Sequence, residues 1–322
     1  MIVWIPGGKK PTSGKAKFME RLSIALRDLN VKVVQSGDKR HDVSLHIGAV
    51  GSAKFSGKKV IRFDGVWHNI DQPFKKKNKL MTNIMRKADG IVYQTKFCRS
   101  LCDKYLGKFD GPNAVIMNGA DISFYDVEPA VSKYKVNFFT SARWRPHKRL
   151  QDIIESFLLT DIDDSCLNIA GDLKLCGVKK DRLKKYFLNP RINYLGVICD
   201  KEIASWLKVS IAFIHISWID WCPNGVVEAI AARKPVITNN IGGTRELVEP
   251  SGGIICDIDD IWNKKPCKLY QPPPIDRRVI ADAITKISYS SFATDIFCSH
   301  VDINNIADQY LSVFKKVIKG KS

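Results

Sequence analysis

The sequence has no C-x-x-C pair, no cysteine or histidine cluster at metal-ligand spacing, and no charged-then-apolar leader at its start. Its longest apolar stretches, such as VSIAFIHIS from Val209 to Ser217, fall far short of the ~20 residues that cross a bilayer. A dithiol redox site, a structural zinc site and a membrane span are therefore not expected. The nine scattered cysteines read as reduced thiols of a cytoplasmic protein. Acids are scarce as well. The 33 Asp and Glu stand against 51 Lys and Arg, a formal net charge of +18 that asks for an anionic partner. Nucleic acid, an anionic membrane surface and an anionic substrate would each answer it. The cations are spread over Lys75–Lys77, Arg143–Arg149, Lys179–Lys185 and Lys315–Lys321, and none sits in an aromatic-interleaved single-strand-binding pattern, which disfavours nucleic acid. Peripheral contact with an anionic membrane stays open.

What is present is alternation. Short apolar runs and longer amphipathic ones follow each other along the whole chain, the pattern of parallel strands covered by helices. Strands are expected at Ile2–Pro6, Val31–Gln35, Val43–Ile47, Val60–Asp64, Gly90–Gln94 and Ala114–Met117, with helices near Lys15–Leu29, Leu80–Ala88 and Lys96–Leu106. After NGADISFYDVEPA the series starts again. Strands are then expected from Val136, Cys166, Ile192, Ile211, Pro235 and Gly253, and helices near Lys148–Phe157, Arg182–Phe187, Lys201–Val209, Gly225–Arg233, Thr244–Val248 and Arg277–Ile287. The expected fold is α/β, two Rossmann-like doubly wound domains facing each other across a cleft, with ligands beyond the carboxyl ends of the strands. The domains are expected at 1–125 and 126–303, with a C-terminal helix over 304–320 that packs back on the first.

Several strand–helix junctions carry chemistry. In NFFTSARWRPHKRLQDIIESF, a basic loop holding Arg143 and Lys148 joins a strand to a helix, a place where phosphates bind; the plain alternative is a solvated loop. In WIDWCPNGVVEAI, Asn224 and Gly225 open a helix where amides can face an anion. Glu228 lies about a turn inside it, and Asp220 precedes the turn. Either acid could equally serve the helix dipole or the turn. Gly171 of IAGDL ends another strand, with little weight on its own. PGGKKPTSGKA near the N-terminus fails as a Walker loop: Gly8 and Gly14 are one residue too far apart, and Ala16 stands where a hydroxyl is needed. Gly7 and Gly8 still allow a ligand close to the backbone. Asp64 ends the strand of IRFDGVWHNI, with His68 just after.

Together these segments resemble the family 4 retaining glycosyltransferases of the GT-B fold (glycosyl transferases group 1), most closely over Phe139 to Asp257. SARWRPHKRLQDIIESF is similar to the segment that binds the donor diphosphate, which implies that role for Arg143 and Lys148. The Asp220–Glu228 spacing resembles the family's pair of glutamates. The resemblance implies that Asp220 contacts the transferred sugar, that Glu228 holds the ribose, and that Asn224, Gly225 and Val226 offer amides to phosphate and sugar. YLGVI, with Val197, is similar to the segment whose backbone meets the base. PVITNNIGGTRELV and NGADISFY resemble the flanking pieces. Two departures stand out: Asp220 is one methylene shorter than the usual glutamate, and Asp64 stands roughly where many members place a histidine beside the acceptor hydroxyl.

The resemblance implies a nucleoside-diphosphate sugar as donor, UDP- or GDP-linked, and a hydroxyl of a glycan or lipid-linked acceptor on the side of the first domain. It also implies retention of configuration, no metal and no cofactor. The expected location is cytoplasmic, with peripheral membrane association open. Two other readings remain: a non-catalytic nucleotide-sugar or nucleic-acid binding protein, and a nucleotide-sugar epimerase on the same fold.

Overall fold

The structure is a computed structural model and describes residues 1–6, 14–35, 40–48, 57–258, 262–289 and 296–320. The chain divides into two compact units: Met1–Asp121 with Ser299–Ser322, and Ile122–Cys298. Each is built on a six-stranded sheet in which every pairing between neighbouring strands is parallel.

In the first unit the strands are β1 (Ile2–Trp4), β2 (Lys32–Val34), β3 (Val43–Ile47), β4 (Lys58–Phe63), β5 (Gly90–Tyr93) and β6 (Asn113–Val115), ordered β2-β1-β3-β4-β5-β6. The helices are α1 (Gly14–Asp28), α2 (Phe74–Met85), α3 (Lys96–Leu106) and the late α10 (Ile303–Lys319). Strands β3 to β5 are buried along most of their length, with Ser44, His46 and Arg62 among the buried side chains. In α10, Ile303, Ile306, Ala307, Tyr310, Val313, Phe314 and Val317 are buried, a stripe at helical spacing that closes the core over Phe18, Leu22, Val60 and Val92. Asp302 caps the helix by accepting from the Asn304 amide at 3.0 Å. The packing is close enough that a Cβ on Gly90 would come within 2.6 Å of Val317.

The second unit holds β7 (Val136–Ser141), β8 (Ser165–Ala170), β9 (Ile192–Gly196), β10 (Ala212–His215), β11 (Val236–Asn239) and β12 (Ile254–Cys256), ordered β12-β11-β10-β7-β8-β9. Its helices are α4 (Leu150–Leu158), α5 (Lys180–Leu188), α6 (Asp200–Val209), α7 (Asn224–Ala231), α8 (Thr244–Val248) and α9 (Arg277–Tyr289). The order is that of dinucleotide-binding sheets, in which consecutive strands run outward in both directions from the first and fourth.

Three helix starts differ from expectation by two residues or more, and α5 opens at Lys180 instead of Arg182. Helix α2 begins at Phe74, six residues before Leu80, because Asn78 clamps its polar first half to the preceding loop. The Asn78 side chain accepts from the Trp67 amide at 2.9 Å and donates to the Trp67 carbonyl at 2.7 Å. Helix α4 begins at Leu150 rather than Lys148. A 3-10 turn over Pro146–Lys148 and a left-handed Arg149 (φ 52°) come first. Among the described residues, no helix is long and apolar enough to cross a membrane.

Candidate active site

Strands β7 and β10 are neighbours, and the chain leaves them toward opposite edges of the sheet. Such a switch point opens a crevice beyond the carboxyl ends of the two strands. The loop after β7 carries Arg143 and Lys148, and the loop after β10 carries Asp220. Both loops are tied down. Backbone Trp218 N–H and the Ser217 hydroxyl donate to the His147 carbonyl, at 2.8 and 3.2 Å. Asn239, ending β11, exchanges two hydrogen bonds with the Ser217 backbone, and Gly243 N–H donates to the Asp220 carbonyl at 2.8 Å. Gly242 is obligatory there: its φ is +89°, and a Cβ would lie 2.4 Å from that carbonyl oxygen.

The Asp220 carboxylate pairs with the Lys148 ammonium. Its Oδ2 also meets His215 Nε2 at 3.1 Å, and its Oδ1 accepts from the Trp221 amide at 2.9 Å. Burial on its own would push this carboxyl up, but Lys148 and His215 together hold it well below the usual carboxylate range. His215 is lowered, chiefly by burial and also by Lys148, against the opposing hydrogen bond from Asp220. At neutral pH the imidazole is therefore neutral and donates its Nε2 proton to an ionised Asp220. His215 was missed in the sequence, where its one signal is a polar ring ending an apolar strand.

The other expected residues of this unit lie on the same edge of the sheet. Arg143 is exposed and has no ion pair among the described residues. Its neighbour Trp144 is buried, with Nε1 donating to the Ala170 carbonyl at 2.9 Å, so the loop is anchored beside Arg143. Gly171 (φ +115°) passes so near Ala142 that a Cβ would fall 1.9 Å from its carbonyl oxygen. Its N–H is committed to the Gly196 carbonyl at 2.7 Å. The glycine is thus required by backbone packing, which sets the height of the loop carrying Arg143. Val197 follows β9 and is 78% exposed.

Helix α7 starts at Asn224 without a side-chain cap. A Cβ on Gly225 would stand 3.2 Å from Phe213 and 3.4 Å from the Ser141 carbonyl, so glycine lets the helix end approach β7 closely. The Val226 amide donates to the Pro223 carbonyl at 3.1 Å and its side chain is fully buried, a packing position and not an open donor. Glu228 lies one turn into the helix and is 7% exposed.

Asp64 belongs to the first unit, just past β4. It pairs with the buried Arg62 (Nε to Oδ1, 3.1 Å) and with Lys15 (3.4 Å). The His68 ring is buried and meets the Val66 carbonyl at 3.2 Å, a structural contact. Gly7 and Gly8 lie outside the described residues.

Residues 124–263 match the family model described as glycosyl transferases group 1. No curated protein matches the chain. Among solved structures, sucrose-phosphate synthase from Thermosynechococcus elongatus superposes with a TM-score of 0.75 at 13% identity, covering 99% of both chains. A glycosyltransferase from Rickettsia africae gives 0.69 at 15% identity, again over 99% of both. Anabaena HepE in complex with UDP gives 0.69 at 16% identity, over 98% of this chain and 99% of that one, and HepE was also solved with UDP-glucose. These likenesses show the fold, two parallel six-stranded sheets with helices, as in GT-B glycosyltransferases.

Proposed function

We propose that the protein is a retaining glycosyltransferase that moves a sugar from a nucleoside-diphosphate sugar to an acceptor hydroxyl. The observation that carries this reading is the meeting of Lys148, Asp220 and His215 at the switch point of the second sheet, with Arg143 exposed on the same loop as Lys148. The family match over residues 124–263 includes these positions, and the similar HepE was solved with UDP and UDP-glucose.

In this mechanism the bond between the sugar carbon and the diphosphate oxygen breaks, and its electron pair goes to that oxygen. Arg143, Lys148 and the amides of Asn224 and Gly225 stabilise the developing charge, which no metal is needed to meet. The acceptor oxygen attacks the same face, and its proton passes to the departing phosphate oxygen. Asp220 is held ionised, so it is not the proton donor; it accepts hydrogen bonds from the transferred sugar and keeps Lys148 in place. Glu228 holds the ribose diol, and Val197 flanks the base with its backbone. Glycan or lipid-linked alcohols are the acceptor class.

Release of nucleoside diphosphate from a panel of UDP- and GDP-sugars tests the reading, with calorimetric titration of nucleoside diphosphate into the wild type and Arg143→Ala. The variant should bind about tenfold more weakly, the cost of losing one charge-assisted hydrogen bond, and turnover should persist in EDTA. Equal affinities would remove Arg143 from the site. Loss of turnover in EDTA that manganese restores would overturn the metal-free reading.

A further inference from the structure

Helix α2 carries its charge against its own dipole. Lys75, Lys76 and Lys77 fill the first turn, no acid stands there, and Pro73 supplies no side-chain cap. Positive charge at a helix start is unfavourable, so this arrangement costs the helix stability. Lys77 has a local partner: its ammonium sits 3.5 Å from the Trp67 ring centroid and donates to Gln72 at 3.3 Å. Lys75, Lys76, Lys79, Arg86 and Lys87 are exposed, and among the described residues none of the five has an ion pair. Asp89 is paired with Lys58 and Asp103 with Arg99.

Three of these cations line up. At 3.6 residues per turn, Lys75, Lys79 and Arg86 fall within about 40° of each other around the helix, spaced roughly 6 and 10 Å along it. They line a groove of about 400 Å³ that reaches Tyr105 on α3. Its floor is fixed, because Asn78 is clamped to the Trp67 backbone and the Thr82 hydroxyl donates to the Leu106 carbonyl at 3.3 Å. Phe74 and Tyr105 add aromatic faces, and Asn83 adds an exposed amide.

We infer that this groove binds a segment of an anionic carbohydrate, with carboxylate or sulfate groups on Lys75, Lys79 and Arg86 and a sugar ring against Tyr105 or Phe74. A row of cations beside aromatic and amide groups is the lining such a chain takes. A lipid surface would need an apolar face, and the exposed apolar side chains of this region, Leu80 on α2 with Trp67 and Ile70 on the loop before it, lie outside the groove lining. The groove lies wholly in the first unit, and the inference is independent of the donor site proposed above.

The test is calorimetry of a heparin-derived hexasaccharide with the full chain at low and moderate salt. Wild type should bind saturably, and more weakly as salt rises. The triple variant Lys75→Gln, Lys79→Gln, Arg86→Gln should lose about tenfold or more in affinity, as three exposed charge contacts imply. Its circular dichroism and its affinity for nucleoside diphosphate should be unchanged. A control triple, Lys180→Gln, Lys184→Gln, Lys185→Gln, removes the same charge from α5 and should bind as wild type. Equal weakening in the two triples would assign the attraction to net charge and overturn the site. So would absence of hexasaccharide binding at low salt, or tighter groove-dependent binding to phosphatidylglycerol vesicles or oligo-dT than to the saccharide.

Discussion

Each of the two sheets has a cation–carboxylate pair at the carboxyl ends of its strands, and the two pairs are built differently. In the first unit, Arg62 and Asp64 are two residues apart at one strand end. The guanidinium is 1% exposed, lies 3.9 Å over the Phe18 ring, and hydrogen-bonds Asn118. In the second, Lys148 and Asp220 come from the loops of two adjacent strands and are 17% and 14% exposed. A pair on one strand over a core aromatic is a packing solution, fixed when the core forms. A pair that bridges the loops of a switch point holds a crevice in shape, and an incoming ligand can compete for either member.

The sharpest way to break that comparison is Arg62→Met. Removing one partner of a buried ion pair costs about 3–5 kcal/mol. Hydrogen exchange should show that loss across β1, β3 and β4 while nucleotide affinity stays at the wild-type level. A loss of nucleotide affinity without a loss of protection would place Arg62 in a ligand site. The two acids of the second unit come next. Glu228→Gln should weaken free nucleotide and nucleotide sugar alike, by roughly ten- to a hundredfold, since a charged hydrogen bond is worth about 1.5–3 kcal/mol. Asp220→Asn should lower transfer by a similar factor yet leave nucleotide binding intact, because Lys148 is then released toward the phosphate. The reverse pattern would exchange their roles. Asp220→Glu restores the longer acid and should keep nucleotide affinity while shifting preference among donor sugars.

The smallest effect concerns pH. Burial, with Lys59 and His41 nearby, pushes the His46 imidazole down to about 4. A group lowered in the folded state stabilises it fully above the unfolded pKa, about 6.5 for histidine, and that contribution fades as pH falls through the folded value. Protection of β1 and β3 in the first unit should therefore decline from about pH 6.5 toward 4. His46→Gln, which lacks the titrating ring beside Ser44, should flatten that decline. An unchanged slope would show that other groups govern the acid response.

The alternation of elements was legible because both sheets are buried by helices, so their strands read as plain apolar runs. The first half of α2 was not, since its lysines resemble a solvated loop and its anchor, Asn78 on Trp67, is a tertiary contact. In the same way Arg149 has the composition of a helix start but takes a left-handed conformation that delays it. Of the site, Arg143, Lys148, Asp220 and Glu228 could be marked from their places after strands and from family resemblance. Their mutual arrangement could not. Lys148 and Asp220 are 72 residues apart, and nothing local signals that they pair or that His215 joins them. Gly171 ends a strand with little weight in the sequence, and its tight packing on the Ala142 backbone is a tertiary contact.

The second unit interrupts the first in the chain: residues 122–298 come between Asp121 and the segment containing α10. On the ribosome, the whole second unit is synthesised before Tyr310 and Phe314 are. Until then the apolar side of the first sheet lacks its last helix, and uncovered apolar surface of that kind is prone to aggregate. The half begun first is thus the half completed last.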